Sequence, residues 1–164
     1  KNRTSVAIID NQTTDNDLNN LSKDVFDYFG LGCRSVTKLY IEKGFDFNSM
    51  FKSFYHAKEV MNHVKYMNNY DYNKAIYLLE DISFLDNGFM ILRENENLHS
   101  PVSVVNFEYF ENIVELNEKL KYIQDEIQCR VGVGGIAYGT AQNPSLSDYA
   151  DGVDTIQFLI NNLN

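Results

Sequence analysis

SVAIID, residues 5–10, is a short apolar run rich in β-branched residues, and it ends at an acid. A run of this length and composition is typical of a strand that is buried on both faces, as in a parallel sheet. Thr14 then offers a helix cap, and Asp17 follows it by three residues. The start of the chain therefore predicts a strand that leads directly into a helix.

The predicted helix ends beside a cysteine. Apolar side chains recur at helical spacing after the cap, and Gly30 is a typical helix stop. The sequence FGLGCR at residues 29–34 then forms a tight connection to a second predicted strand over residues 36–41. The apolar stripe of the helix consists of Leu18, Leu21, Val25 and Phe29.

The rest of the chain continues to alternate between helical and strand-like patterns. Such alternation favours an α/β fold with a mostly parallel sheet and helices on both faces. We find no internal repeat or linker, so residues 1–164 are predicted to form a single domain. The remaining predicted elements are a long helix over 47–64, a helix over 73–80, strands over 89–92 and 102–107, a helix over 113–123, a strand over 127–133, a glycine-rich loop and a last helix over 146–160.

Charge and composition exclude several classes of function. The formal net charge is −9, which is unsuited to nucleic acid or to an anionic membrane surface, because both attract clustered Lys and Arg. No apolar run approaches the ~20 residues needed to cross a bilayer, and no secretory leader is recognisable. The two cysteines do not form a disulfide framework. We therefore expect a reduced, cytoplasmic protein without membrane insertion.

Cys33 is the principal candidate for chemistry, and the residues around it leave two interpretations open. The flanking glycines allow a ligand to approach the backbone closely, and a thiolate at this position could attack a carbonyl or thioester. The preceding helix presents its negative end to the thiol, which by itself disfavours a thiolate. Taken alone, the spacing favours a buried structural cysteine. Cys129 alternates with Ile127 and Val131 and is predicted to lie in the core.

Two further patterns carry less information. His56 and His63 are seven residues apart on the predicted long helix, so they would share a face, but no further ligand completes a metal site. We therefore predict no metal. The sequence GVGGIA at residues 132–137 fits a dinucleotide-binding pattern, yet loop-forming residues follow where that pattern requires a helix.

Two stretches around Cys33 are similar to the catalytic segment of the aldehyde dehydrogenase superfamily: KNRTSVAIID at residues 1–10 and FGLGCRSVTKLY at 29–40. The acyl-CoA reductase family, which includes the reductase of bacterial luminescence, resembles the chain still more closely. Its bacterial members are similar at NYDYNK (69–74), FLDNGF (84–89) and DYADGVDT (148–155). The resemblance covers nearly the whole chain.

This resemblance implies a mechanism and a set of partners. Cys33 would take an acyl group from acyl-CoA or an acyl-protein, and NADPH would reduce the acyl-cysteine to a fatty aldehyde. Partners would be further copies of the chain or an acyl-transferase or synthetase. The resemblance also implies that the chain is the catalytic-domain portion. The cofactor-binding domain, the usual Asn that donates to the oxyanion, and the Glu base would then precede residue 1. The isolated chain is expected to be inactive.

The sequence departs from the superfamily where a Glu-x-x-Gly-Pro stretch contacts the cofactor ribose. The matching residues 97–101 are NLHSP, so Asn97 replaces the Glu and Ser100 replaces the Gly. Asn97 is therefore the candidate cofactor-binding residue, and tight NADPH binding by this chain alone is not expected.

Two alternatives to the reductase remain. One is a non-catalytic α/β interaction module in which Cys33 is merely buried. The other is a cysteine acyltransferase or thioesterase that needs no nicotinamide. A Cys–His enzyme of that kind would require His56 or His63 beside Cys33.

Overall fold

The computed structural model describes residues 3–149 and 153–162, and its centre is a six-stranded sheet with the order β3-β4-β5-β2-β1-β6. All neighbouring strands are parallel except the short pair β3 and β4. The strands are β1 (Thr4–Ile9), β2 (Val36–Glu42), β3 (Leu85–Asp86), β4 (Ile91–Glu94), β5 (Val104–Phe110) and β6 (Ile127–Gly132).

Strand β1 lies inside the sheet, between β2 and β6, and every one of its residues is buried. This burial on both faces explains the continuous apolar run in the sequence. The predicted mostly parallel α/β fold is confirmed, and β3 is the one strand among the described residues that the sequence patterns did not predict.

Helices cover both faces of the sheet. The helices are α1 (Asp15–Phe26), α2 (Phe47–Phe54), α3 (Val64–Leu79), α4 (Ile113–Tyr122) and α5 (Thr155–Asn161), of which α5 is exposed along its whole length and does not cover the sheet. Helices α1 and α2 pack with Ala7, Ile9 and Leu39 in one apolar cluster. On the opposite face, Leu116 and Leu120 of α4 pack against Val6 and Ile8. Thr14 caps α1 through a reciprocal pair of hydrogen bonds with Asp17, as its sequence predicted.

Two of the predicted helices are wrong in extent. The helix predicted over 47–64 ends at Phe54, and a 3-10 segment, Tyr55–Asn62, follows it. Met61 in that segment is exposed. Helix α3 begins at Val64, nine residues before the predicted start at Asn73, because His63 caps it by accepting from the Tyr66 N–H.

The last helix also differs from its prediction over 146–160. Helix α5 begins at Thr155, capped by Asp154, whereas residues 145–149 contain only turns. Part of the predicted span, residues 150–152, lies outside the described residues.

A β-bulge alters the predicted alternation of β6. Thr4 pairs with Ile127 but Val6 pairs with Arg130, so β6 contains one extra residue between these two pairs. Consequently Ile127 packs with the α4 cluster, whereas Val131 is buried in the α1 cluster. Cys129 is buried, as predicted, but Ile127 does not share its face.

Within the described residues, no helix has the length and apolar character that crossing a membrane requires.

Candidate functional site

Cys33 lies at the amino-terminal edge of the sheet, in a turn that immediately precedes β2. Ligands in open α/β sheets usually bind at the opposite edge, beyond the carboxyl ends of the strands. The Cys33 side chain is exposed. The interpretation of Cys33 as a buried structural cysteine is therefore wrong.

The segment between α1 and this turn has an unusual backbone. Helix α1 ends at Phe26, and the next residues form a short 3-10 turn rather than the predicted helical continuation to Phe29. Tyr28 and Phe29 have φ values of 56° and 60°, in the left-handed region that costs a non-glycine residue roughly 1–2 kcal/mol. The ring of Phe29 stacks on His63 with centroids 4.0 Å apart, which holds this segment against the start of α3.

The turn that carries Cys33 is closed by Gly32 and Ser35. The Ser35 N–H donates to the Gly32 carbonyl at 2.9 Å, and the Gly32 N–H donates to the Ser35 hydroxyl at 3.2 Å. No cationic or basic side chain among the described residues contacts the Cys33 thiol. The Cys33 N–H also has no protein acceptor within residues 3–149 and 153–162.

Ser5 connects the Cys33 turn to β6. Its hydroxyl donates to the Cys33 carbonyl at 3.0 Å and accepts from the Cys129 N–H at 3.1 Å. Ser5 is fully buried within β1. A polar side chain inside the apolar SVAII run is a sequence signal of a buried hydroxyl, which needs partners.

Arg34 points away from Cys33 and toward the second cysteine. Its guanidinium donates to the Cys129 sulfur at 3.0 Å and to the Ala141 carbonyl at 3.1 Å. Burial raises the pKa of the Cys129 thiol, while hydrogen bonding to Ser5 and the positive charge of Arg34 partly oppose that rise. The Arg34 guanidinium therefore binds the buried thiol of Cys129.

The loop that supplies the Ala141 carbonyl is held by a buried carboxylate. Asp24 on α1 accepts from the Gly139 N–H at 2.6 Å and from the Ala141 N–H at 2.9 Å. Burial raises the pKa of Asp24, although both of these hydrogen bonds act in the opposite direction. Asp24 lies on the apolar face of α1, three residues after Leu21, and an acid in that position was a further sequence signal of a buried polar site.

Asn97 lies in the loop that follows β4 and leads back to the start of β5. Its side chain is exposed, while its backbone N–H donates to the Asn95 side chain at 2.8 Å and its carbonyl accepts from Asn106 at 2.9 Å. The loop crosses from the carboxyl end of β4 to the amino end of β5, which neighbours β2 in the sheet. Thr37 of β2 binds this loop by donating to the Leu98 carbonyl at 3.1 Å.

The two histidines do not share a helical face, contrary to prediction. His56 belongs to the 3-10 segment after α2, and His63 caps α3 with its Nδ1 occupied by the Tyr66 N–H. Within the described residues, no group of three or more His, Cys, Asp or Glu side chains is arranged to hold a metal ion.

The glycine-rich loop after β6 lies at the carboxyl-terminal edge, away from Cys33. No helix opens directly after it, as its sequence predicted. A Cβ on Gly135 would lie 2.2 Å from the Arg130 carbonyl oxygen, so this glycine permits a tight approach within the chain's own backbone. The loop therefore does not fit a nucleotide pyrophosphate, which requires free N–H groups at a helix start.

Comparison with known proteins identifies the fold through solved structures. No family model matches the chain, and no curated protein matches it. The chain is similar to the indole-3-acetaldehyde dehydrogenase AldA of P. syringae, solved as a C302A mutant with NAD+ and IAA, with 10% identity, 90% of this chain covered and a TM-score of 0.52. It is also similar to the aldehyde dehydrogenase KauB from Pseudomonas aeruginosa, with 9% identity, 90% coverage and a TM-score of 0.53.

These likenesses establish the fold, because identities near 10% are too low to carry more than architecture. The chain thus shares its fold with part of the aldehyde dehydrogenases, in agreement with the resemblance around Cys33. It spans about a third, 35%, of the length of either of these structures.

Proposed function

We propose that this chain supplies the nucleophile of an enzyme that reduces a long-chain acyl thioester, either acyl-CoA or acyl-protein, to a fatty aldehyde. The observation that carries the proposal is the exposed Cys33 in a fixed turn with a free N–H beside its thiol. The aldehyde dehydrogenase fold of the chain supports it. The similarity of residues 29–40 to the acyl-CoA reductases suggests a thioester as the substrate.

The chain's own chemistry is the acyl transfer. The Cys33 thiolate attacks the thioester carbonyl carbon, and the bond to the CoA sulfur breaks as CoA leaves as a thiolate that takes up a proton. The tetrahedral oxyanion formed on the way needs donors. The Cys33 N–H, free of protein acceptors among the described residues, is the donor that this chain offers.

A reduced nicotinamide, NADPH in our proposal, would supply the hydride that converts the acyl-cysteine to aldehyde and the Cys33 thiolate. The Gly132 loop does not fit such a nucleotide, and so we assign its binding to a cofactor domain preceding residue 1. Asn97 remains our proposed ribose contact, since its exposed amide can accept and donate hydrogen bonds.

Acyl trapping without any nicotinamide tests the transfer step. The protein is incubated with labelled long-chain acyl-CoA, and the bound label is measured before and after hydroxylamine, which cleaves thioesters. We expect wild type and Cys129→Ala to retain hydroxylamine-labile label, and Cys33→Ser to retain none. Serine is nearly isosteric but far less acidic than a thiol of reference pKa ~8.5, and no base contacts this position within the described residues.

Equal labelling of a well-folded Cys33→Ser protein would overturn the proposal. Labelling at Cys33 in a parent protein that transfers or hydrolyses the acyl group but forms no aldehyde when NADPH is supplied would favour the acyltransferase or thioesterase instead.

A further inference from the structure

Both peptide groups that flank the Cys33 Cα are held by hydrogen bonds. The peptide before it is fixed because the Gly32 carbonyl accepts from the Ser35 N–H at 2.9 Å. The peptide after it is fixed because the Cys33 carbonyl accepts from the Ser5 hydroxyl at 3.0 Å. Since a peptide group is planar, holding these two carbonyls sets both backbone dihedrals of Cys33. The thiol then retains only its χ1 rotation.

The two hydrogen bonds that fix these peptide groups differ in origin. The Ser35 bond is local to the turn and forms whenever the turn closes. The Ser5 bond spans 28 residues and comes from β1, whose neighbouring strands are already paired on both sides. Ser5 also accepts from the Cys129 N–H at 3.1 Å, which orients its own proton toward the Cys33 carbonyl. The rigid centre of the sheet therefore sets the geometry of an exposed turn through one buried hydroxyl.

We propose that Ser5 is a positioning residue for acyl transfer: through the Cys33 carbonyl it keeps the Cys33 N–H and the Cα–Cβ bond that carries the thiol in the relative orientation that a tetrahedral oxyanion requires. This inference rests on the proposed function. When the sulfur attacks a carbonyl carbon, the new oxyanion must lie near a hydrogen-bond donor. The direction of the N–H and the direction of attack by the sulfur must therefore both be correct at the same time. A simple alkylation at the sulfur forms no oxyanion and needs the thiol alone.

That distinction supplies the experiment. Rates of Cys33 modification are measured for a small aryl thioacetate, which acylates, and for iodoacetamide, which alkylates, and their ratio is compared among variants. For Ser5→Ala we expect the ratio to fall roughly 10-fold, a part of the roughly 10²–10³ that complete loss of an oxyanion donor costs. Ser5→Thr, which keeps the hydroxyl, should restore the ratio.

Ser22→Ala is the matched control. Ser22 is likewise a buried serine that donates to a backbone carbonyl, that of Asn19, but it lies on α1 and does not touch the Cys33 turn. Its loss should leave the ratio unchanged. If Ser5→Ala is unfolded by circular dichroism, Ser5→Cys replaces it, because a thiol fills similar space but donates only weakly. Peptide mapping then separates labelling at Cys33 from labelling at Cys129 and at the thiol introduced at position 5.

The outcomes separate the two proposals. An unchanged ratio in folded Ser5→Ala or Ser5→Cys would overturn the positioning role, because a merely structural serine would slow both reactions equally. A wild-type Cys33 that alkylates but accepts no acyl group would instead overturn the proposed function.

Discussion

The two cysteines of this chain lie on either side of one serine, yet their surroundings differ in almost every respect. Cys33 is exposed in a turn, and its thiol has no charged partner among the described residues. Cys129 is 8% exposed in β6, and it receives the Arg34 guanidinium at 3.0 Å. The exposed Cys33 thiol therefore has no cationic hydrogen-bond donor in the described part of the chain, and the Cys129 thiol, which has one, is buried.

This difference shows that positive charge close to a cysteine in sequence is a poor guide to thiol activation. Arg34 is the immediate neighbour of Cys33, but its side chain joins Cys129 to the Ala141 carbonyl and so fastens the loop after β6 to the site. What distinguishes Cys33 is its exposure, its free N–H and the fixed peptides on either side. Those properties suit a nucleophile whose substrate completes the site.

The largest expected difference between the cysteines is in alkylation. With limited iodoacetamide at neutral pH, we expect Cys33 to react at least ~100-fold faster than Cys129. A buried thiol reacts only after local opening, and each 1.4 kcal/mol of opening free energy slows it tenfold. Mass spectrometry of the digested protein measures both sites in the same sample.

Labelling in denaturant is the control, since unfolding should make the two rates similar. Preferential labelling of Cys129 in the folded protein would contradict the comparison, and with it the proposed role of Cys33.

A smaller difference is expected in stability. Cys129→Ala should lower the free energy of unfolding by about 1 kcal/mol, because it removes a buried sulfur and leaves a cavity. Cys33→Ala should change it by less than about 0.5 kcal/mol, as is usual for exposed positions. Urea denaturation of both variants measures the two changes in the free energy of unfolding. A greater loss for Cys33→Ala would mean that its side chain packs in the folded protein.

The same contrast explains how far the sequence could predict this molecule. The SVAIID run, the Thr14 cap and the alternation of elements each reflect local rules, and they were sufficient for a mostly parallel α/β fold. The end of α1 was misplaced because Phe29 continues the apolar spacing, while its stack on His63 comes from a residue 34 positions away. No local pattern reports such a contact.

For the site, the sequence identified the exposed cysteine but missed what holds it. Ser5 and Asp24 are polar residues inside apolar patterns, so a question about their partners could have been asked from the sequence. The direction of the Arg34 side chain could not have been predicted from the sequence, because it depends on a loop more than 100 residues later. The bulge in β6 was equally inaccessible, since it depends on the register between two strands.

The smallest expected effect concerns the support on the Cys129 side and its pH dependence. Burial raises the pKa of Asp24 above its ordinary value of 3.8. An acid with a raised pKa in the folded state contributes stability that is fully present below the pKa of the unfolded chain. That contribution is lost as the pH rises through the folded pKa. Asp24→Asn cannot titrate. The stability of wild type relative to Asp24→Asn should therefore decline as the pH rises from below 3.8, and then become constant.

Urea denaturation of both proteins across this pH range gives the difference directly, and Asp71→Asn serves as the control, because Asp71 is an exposed acid on α3 that does not influence the pKa of Asp24. Asp24→Asn should also weaken the anchoring of the Gly139 and Ala141 N–H groups, since an amide oxygen is a poorer acceptor than a carboxylate. Cys129 should then alkylate somewhat faster while the Cys33 rate stays the same, because Ser5 and Ser35 hold its turn independently.

A stability difference that grows with pH would mean that the two hydrogen bonds outweigh burial at Asp24. A change at Cys33 alone would mean that the loop supports the exposed thiol rather than the buried one.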